Sequence, residues 1–240
     1  MLKSYNLPAS KYNPDTDLYE FQNVRYGRSL TGDLRFRAPQ SPIENRTVVQ
    51  TGTGTRICPQ GQPQWQAKTL MAIHPRRRRR LRLQRRLWPT LFEPSGILAQ
   101  AQSAFNQDFV FVTLNYRLGA FGWLNSAKVL ADGDANAALL DQRFILQWDQ
   151  DNIHLFGGSK DHVTIMGESG GRSSVLRHLI AAGAKCKSTK KLFQQAISQS
   201  PADIPVATSD PDELYGRFLS ILKADNLDAA KSILRCHYYC

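Results

Sequence analysis

The segment from His162 to Ile180 sets the tightest limit on what this chain can fold into. His162-Val163-Thr164-Ile165-Met166 is a compact apolar and β-branched run, which reads as a buried strand. Beyond it, Val175, Leu176, Leu179 and Ile180 recur at helical spacing, so a helix should open within a residue or two of Ser169. The join is Gly167-Glu168-Ser169-Gly170-Gly171, a G-x-S-x-G sequence at a strand-to-helix corner. Such a corner holds its serine on a strained turn with the hydroxyl exposed, and the glycines two residues to either side let backbone approach closely. Ser169 is therefore the candidate nucleophile. The Gly170 amide is free to donate to an oxyanion, and the helix N-terminus adds its partial positive charge.

The flanking pattern fits a sheet that could carry this corner. Tyr19 to Val24 alternates apolar and polar residues, as a half-buried strand should. Residues 50–66, rich in Gly, Pro and Gln, read as loop. Pro94-Ser95-Gly96 opens a short helical stretch through Ala101, and Phe109 to Leu114 reads as a central strand buried on both faces. Ala120-Phe121-Gly122-Trp123 reads as an aromatic and glycine loop. Leu140, Phe144, Ile145, Trp148 and Leu155 define an amphipathic helix over about 137–156, stopped by Gly157-Gly158. Phe193 to Ser198 is a further strand. Asp210 then caps a helix with Pro211 at its first position and Glu213 at its third, and a last helix follows from about Asn226 to Leu234. The β-α-β-α-β order over 109–198 predicts a parallel sheet with helices on its faces.

The formal charge of +11 suggests a nucleic-acid partner until it is located. Arg76 to Arg80, Arg82, Arg85 and Arg86 supply most of it, so the basicity belongs to one block and not to the fold. That block lacks interleaved aromatics, and no nucleic acid is expected as a partner. No run of 18 apolar residues is present, so no membrane span is expected. Met1 to Tyr5 has no apolar stretch of the kind a signal peptide uses, and the compartment stays open. Cys58, Cys186, Cys236 and Cys240 are too few and too irregular for a disulfide framework. Cys236-x-x-x-Cys240, with His237 between, lacks a second pair of ligands, so neither a metal nor any other cofactor is expected. Asn45-Arg46-Thr47 is a glycosylation sequon, meaningful only in the secretory pathway.

Several segments, in order, resemble the type-B carboxylesterases, the cholinesterase-like α/β-hydrolases. They are Gly32-Asp33-Leu34-Arg35-Phe36-Arg37-Ala38-Pro39, Cys58-Pro59-Gln60, Asn115-Tyr116-Arg117-Leu118-Gly119-Ala120-Phe121-Gly122, Leu139-Leu140-Asp141-Gln142-Arg143, Asn152-Ile153, Phe156-Gly157-Gly158, the Ser169 corner and Ala196-Ile197-Ser198-Gln199-Ser200. Gly170 stands where alanine is usual. The resemblance implies an α/β-hydrolase fold, a mostly parallel sheet with helices on both faces, here only the N-terminal half of the domain over 1–240. It implies hydrolysis of a small carboxylic ester through an acyl-enzyme. Ser169 would be the nucleophile, Gly170 an oxyanion donor, and Gly167, Glu168 and Gly171 the rest of the turn, with Glu168 structural and not catalytic.

Two parts of the family pattern have no counterpart. The acid and histidine that follow the serine in the family match nothing after Ser169; His154, His162 and His178 read as packing or surface residues. The Gly-rich oxyanion loop is replaced by an aberrant, insert-like segment over 61–93 that carries the arginines, and no partner cysteine for Cys58 is present. Codons for Gly-Gly-Gly-Tyr-Val-Phe (GGC GGC GGC TAC GTC TTC), read two bases later, give Arg-Arg-Leu-Arg-Leu, the sequence at Arg79 to Leu83. The alternative to an esterase is a non-catalytic esterase-like binding module. Substrate preference and oligomeric state are not written in these residues.

Overall fold

The computed structural model describes residues 11–15, 17–22, 24–43, 47, 70–76, 80–84, 94–183, 191–200 and 210–234. Among them runs a seven-stranded sheet in the order β1-β2-β4-β5-β3-β6-β7. The strands are β1 Lys11–Asn13, β2 Leu18–Gln22, β3 Leu70–Arg76, β4 Arg80–Gln84, β5 Asp108–Thr113, β6 Thr164–Glu168 and β7 Gln195–Gln199. β2, β4 and β5 run parallel, as do β6 and β7. β3 lies between β5 and β6 and is antiparallel to both, so those two share a direction; β1 turns back on β2 at the far edge. Five of the seven strands share one direction, although three of the six pairings are antiparallel, so the sheet is mixed.

One expectation is revised, and one segment gains detail. The segment over 61–93, read as insert-like, contributes β3 and β4 to the middle of the sheet. Arg80-Leu81-Arg82-Leu83 alternates with period two, the repeat a strand uses, so its charge does not keep it out of the ladder. Ala120 to Trp123, read as loop, lies in a short helix, α2 Gly119–Trp123. Residues 50–66, the sequon and all four cysteines lie outside the described residues, residue 47 of the sequon excepted.

The other helices are α1 Ser95–Phe105, α3 Ala127–Asp132, α4 Ala137–Asn152, α5 Gly170–Gly183, α6 Pro211–Leu222 and α7 Leu227–Ile233. α4 runs on through a 3-10 turn, Ile153–Phe156, to Gly157. α6 starts as its sequence says: Asp210 accepts from the Asp212 amide and proline fills the first turn.

β5 shows why this chain packs as it does. Its alternate residues serve opposite faces, Val110 and Val112 meeting Ile145 of α4, Ile165 of β6 and Val175 of α5. Phe111 joins Met166 and Phe109 on the other side. A second, smaller core gathers Phe36, Val129 and Leu227, with Phe121, Tyr215 and Phe218 packed on it, and so binds α6 and α7 to the N-terminal segment. No helix among the described residues is long and apolar enough to cross a membrane.

Candidate active site

β6 ends at Glu168 and α5 begins at Gly170, which leaves Ser169 alone at the corner. Its φ is 52°, the left-handed region that a side chain with a Cβ rarely occupies. Holding a non-glycine residue there costs on the order of 1–3 kcal/mol, so the surrounding structure has to enforce it. The enforcement comes from below. Gly167 is buried, and a Cβ on it would stand 2.4 Å from the carbonyl carbon and oxygen of Gly171 and 2.8 Å from the Arg172 amide. Strand and helix touch backbone to backbone, and the residue between them is thrown outward. Ser169 is accordingly exposed, whereas Gly171 is buried and Glu168 half-buried.

The corner is tied to the neighbouring strand as well. Glu168 and Gly167 stand in register with Gln199 and Ser198 of β7. From the first turn of α5, the Arg172 guanidinium donates through Nη1 to the carbonyl of Ser200, just past the end of β7. The rim around Ser169 is thus the carboxyl end of two parallel strands, where open α/β sheets present their ligand crevices.

Beneath the corner lies a chain of buried polar groups. Gln142 and Ser174 are wholly buried and His178 nearly so. His178 Nε2 meets Gln142 Oε1 at 2.9 Å, Gln142 Nε2 donates to Ser174 Oγ at 3.0 Å, and the Ser174 hydroxyl donates to the Gly170 carbonyl at 3.4 Å. Burial lowers the His178 pKa from 6.5 to about 4, and the Arg143 charge adds to the effect, so the ring is neutral near pH 7. A group whose folded pKa is depressed contributes stability that is present above its unfolded pKa and lost on acidification. Between pH 6.5 and pH 4, His178 is therefore expected to remove about 2–3 kcal/mol of stability. Urea unfolding of the wild type and of His178→Gln at pH 7.5 and 4.5 measures this; the variant should show the smaller fall.

A third feature holds α4 in place. Arg117, in the extended segment after β5, is buried against Asp141 of α4: Nη2 reaches Oδ1 at 2.6 Å, Nε reaches Oδ2 at 2.8 Å, and the Arg117 amide adds 3.0 Å to Oδ2. Burial pushes the Asp141 carboxyl up from its ordinary range, against the pull of the Arg117 hydrogen bonds and charge.

No described histidine is placed to serve Ser169. His162 precedes β6, on the order of 20 Å along the strand from the corner. His154 is exposed in the 3-10 turn after α4, and His178 lies roughly 13 Å along α5 and is engaged with Gln142. His74 pairs with Val110, beyond the register position of Thr164 and so at the other end of β6. Among the described residues no group of three His, Cys, Asp or Glu could hold a metal; Cys236, His237 and Cys240 fall outside them. Sequence reasoning kept His178 on the scaffold but missed its partners. The available signal was Gln142 itself, a polar side chain three residues before Ile145 on the apolar face of α4.

Known proteins match this chain. A family model described as "Carboxylesterase family" matches residues 91–237, more than half of the chain. Carboxylesterase patB of Aspergillus clavatus is 40% identical over 144 residues, which are 58% of this chain and 25% of that protein. Lipase 2 of Geotrichum candidum is 44% identical over 147 residues, 60% of this chain and 26% of that one. The crystal structure of Aspergillus niger EstA superimposes with a TM-score of 0.64 at 29% identity, covering 88% of this chain and 43% of its own. The matched part thus spans a quarter of the curated relatives and less than half of the solved one. Its sheet is that of an incomplete α/β-hydrolase, and the matched region takes in β5, the whole Ser169 corner and β7. The chain belongs to the carboxylesterase family.

Proposed function

We propose that this chain carries the nucleophile half of a carboxylic ester hydrolase. The observation that supports it is the Ser169 corner: an exposed serine at φ 52°, held between a buried glycine and a helix start. In that reading Ser169 Oγ bonds to the acyl carbon of a small ester, the bond to the alcohol oxygen breaks, and the serine proton leaves with the alcohol. Water then releases the acid by the same steps. The Gly170 amide stabilises the charge on the carbonyl oxygen, aided by the N-terminus of α5. Glu168 is half-buried in the strand end and takes a structural part.

The serine proton needs a carrier, and no described histidine reaches it. In this reading the described residues supply a nucleophile without its base, and ester turnover by the chain on its own is expected to be negligible. Loss of one oxyanion donor costs about 10²–10³ in turnover, and loss of triad members leaves only about 10³–10⁴ over water.

The test is covalent labelling. At pH 9, where hydroxide can take the serine proton in place of a base, a fluorophosphonate should form an adduct on Ser169, found by peptide mass spectrometry and absent from Ser169→Ala, while at pH 7 p-nitrophenyl acetate is hydrolysed no faster by the wild type than by that variant. Adducts spread over other serines, or none on a folded chain, would overturn the nucleophile assignment and favour an esterase-like binding module.

A further inference from the structure

The first turn of α5 has little intrinsic helical propensity to hold its shape. It opens with two glycines, Gly170 and Gly171, the poorest helix formers after proline, directly after a residue at φ 52°. Where a Cβ at position 170 would stiffen the backbone there is none, and the Gly170 amide is the group on which the proposed oxyanion site depends. What the turn has instead is a polar column that reaches it from beneath: His178 to Gln142, Gln142 to Ser174, Ser174 to the Gly170 carbonyl.

The column has one self-consistent direction. His178 donates from Nε2 to the amide oxygen of Gln142, which leaves the Gln142 nitrogen to donate to Ser174 and the Ser174 hydroxyl to donate onward. Each of the three side chains is buried, Gln142 and Ser174 completely. In such a setting a satisfied polar chain fixes geometry, and a broken one is costly. Only the two backbone torsions of Gly170 separate the carbonyl that the column grips from the amide that faces an oxyanion.

We infer that Gln142 and Ser174 are positioning residues for the Ser169 corner, holding Gly170 by its carbonyl so that its amide points at the reacting oxygen. This rests on the reading of Ser169 as nucleophile. Neither residue touches substrate. They take over, from α4 and the second turn of α5, the stiffening that a side chain at position 170 would supply.

The experiment is the second-order rate constant for fluorophosphonate labelling at 25 °C, measured beside thermal unfolding. Gln142→Leu removes both links at once and is expected to slow labelling of fully folded protein roughly tenfold, the scale of a small misplacement of a reacting group. Ser174→Ala, a smaller change that keeps the helix face apolar, should slow it several-fold and serves if Gln142→Leu does not fold. Adding Gly170→Ala to either variant should recover much of the lost rate, which a purely structural defect would not allow. Normal labelling of either folded variant, with only a lowered Tm, would overturn the inference. Labelling that persists in Ser169→Ala would instead overturn the nucleophile assignment on which it rests.

Discussion

Asp141→Asn is expected to lower the stability of this chain by about 3–5 kcal/mol. The substitution changes shape little, so the effect is electrostatic. Arg117 is 2% exposed and Asp141 not at all, and the carboxylate takes three hydrogen bonds from that one residue, at 2.6, 2.8 and 3.0 Å. Without the charge, the buried guanidinium loses the carboxylate that grips it twice, and removing one member of a buried pair is the costly way to break it. The stability at risk is a large share of the roughly 5–15 kcal/mol a domain holds. Urea unfolding should read it directly, with a Tm lower by on the order of 10 °C. The double variant Arg117→Met/Asp141→Leu should recover only part of the loss. Arg117 also donates to the carbonyls of Arg35 at 3.0 Å and Ala137 at 3.4 Å, and these would lose a donor. A double variant as stable as the wild type would show that the pair contributes no net stability.

The same pair explains what could and could not be read from the sequence. Arg117 and Asp141 both fall within segments that resemble the family, yet nothing local says that they meet; 24 residues separate them. Ser174 and Gln142 are likewise joined across 32 residues and His178 and Gln142 across 36, so the column under the corner emerges only once α4 and α5 lie side by side. Elements written in local chemistry were legible. The apolar run of β5 reads as a doubly buried strand because both of its faces are apolar, and α6 reads from its Asp210 cap and Pro211. α2 was not legible, because two glycines in five residues argue for loop. The reason for one of them is tertiary: a Cβ on Gly122 would stand 2.2 Å from the Arg117 carbonyl oxygen, so glycine is required by packing and the helix forms around it. The six-residue α3 carried a single cue, Ser126, whose hydroxyl accepts from the Val129 amide. The reversed direction of β3 has no local signature at all, since direction is set by which neighbours a strand finds. The position of the candidate nucleophile was readable for the opposite reason: strand, turn and helix are contiguous around it.

Gly167→Ala should damage both stability and the site. Most alanine substitutions of a glycine in regular structure are harmless or favourable, because they lower the entropy of the unfolded chain. Gly216, in the middle of α6 with nothing within 4 Å of an added Cβ, is such a position and provides the control. At Gly167 the added carbon would lie 2.4 Å from backbone atoms of Gly171, which no rotamer change can move. The only relief is to lift the start of α5 from β6. That motion opens the Val175 and Ile165 packing of the main core, and overpacking against backbone should cost at least the usual 1–3 kcal/mol, here set at about 3 kcal/mol. It also displaces Gly170, which opens the helix, and with it Ser169, the residue joined directly before it. A shift near 1 Å at a reacting centre is worth about 10² in rate, so fluorophosphonate labelling of the folded variant should fall by that order. Labelling and unfolding measured on Gly167→Ala and Gly216→Ala separate the two effects. If Gly167→Ala kept wild-type stability and labelling, the close contact between strand and helix would not be what holds Ser169 in its strained conformation.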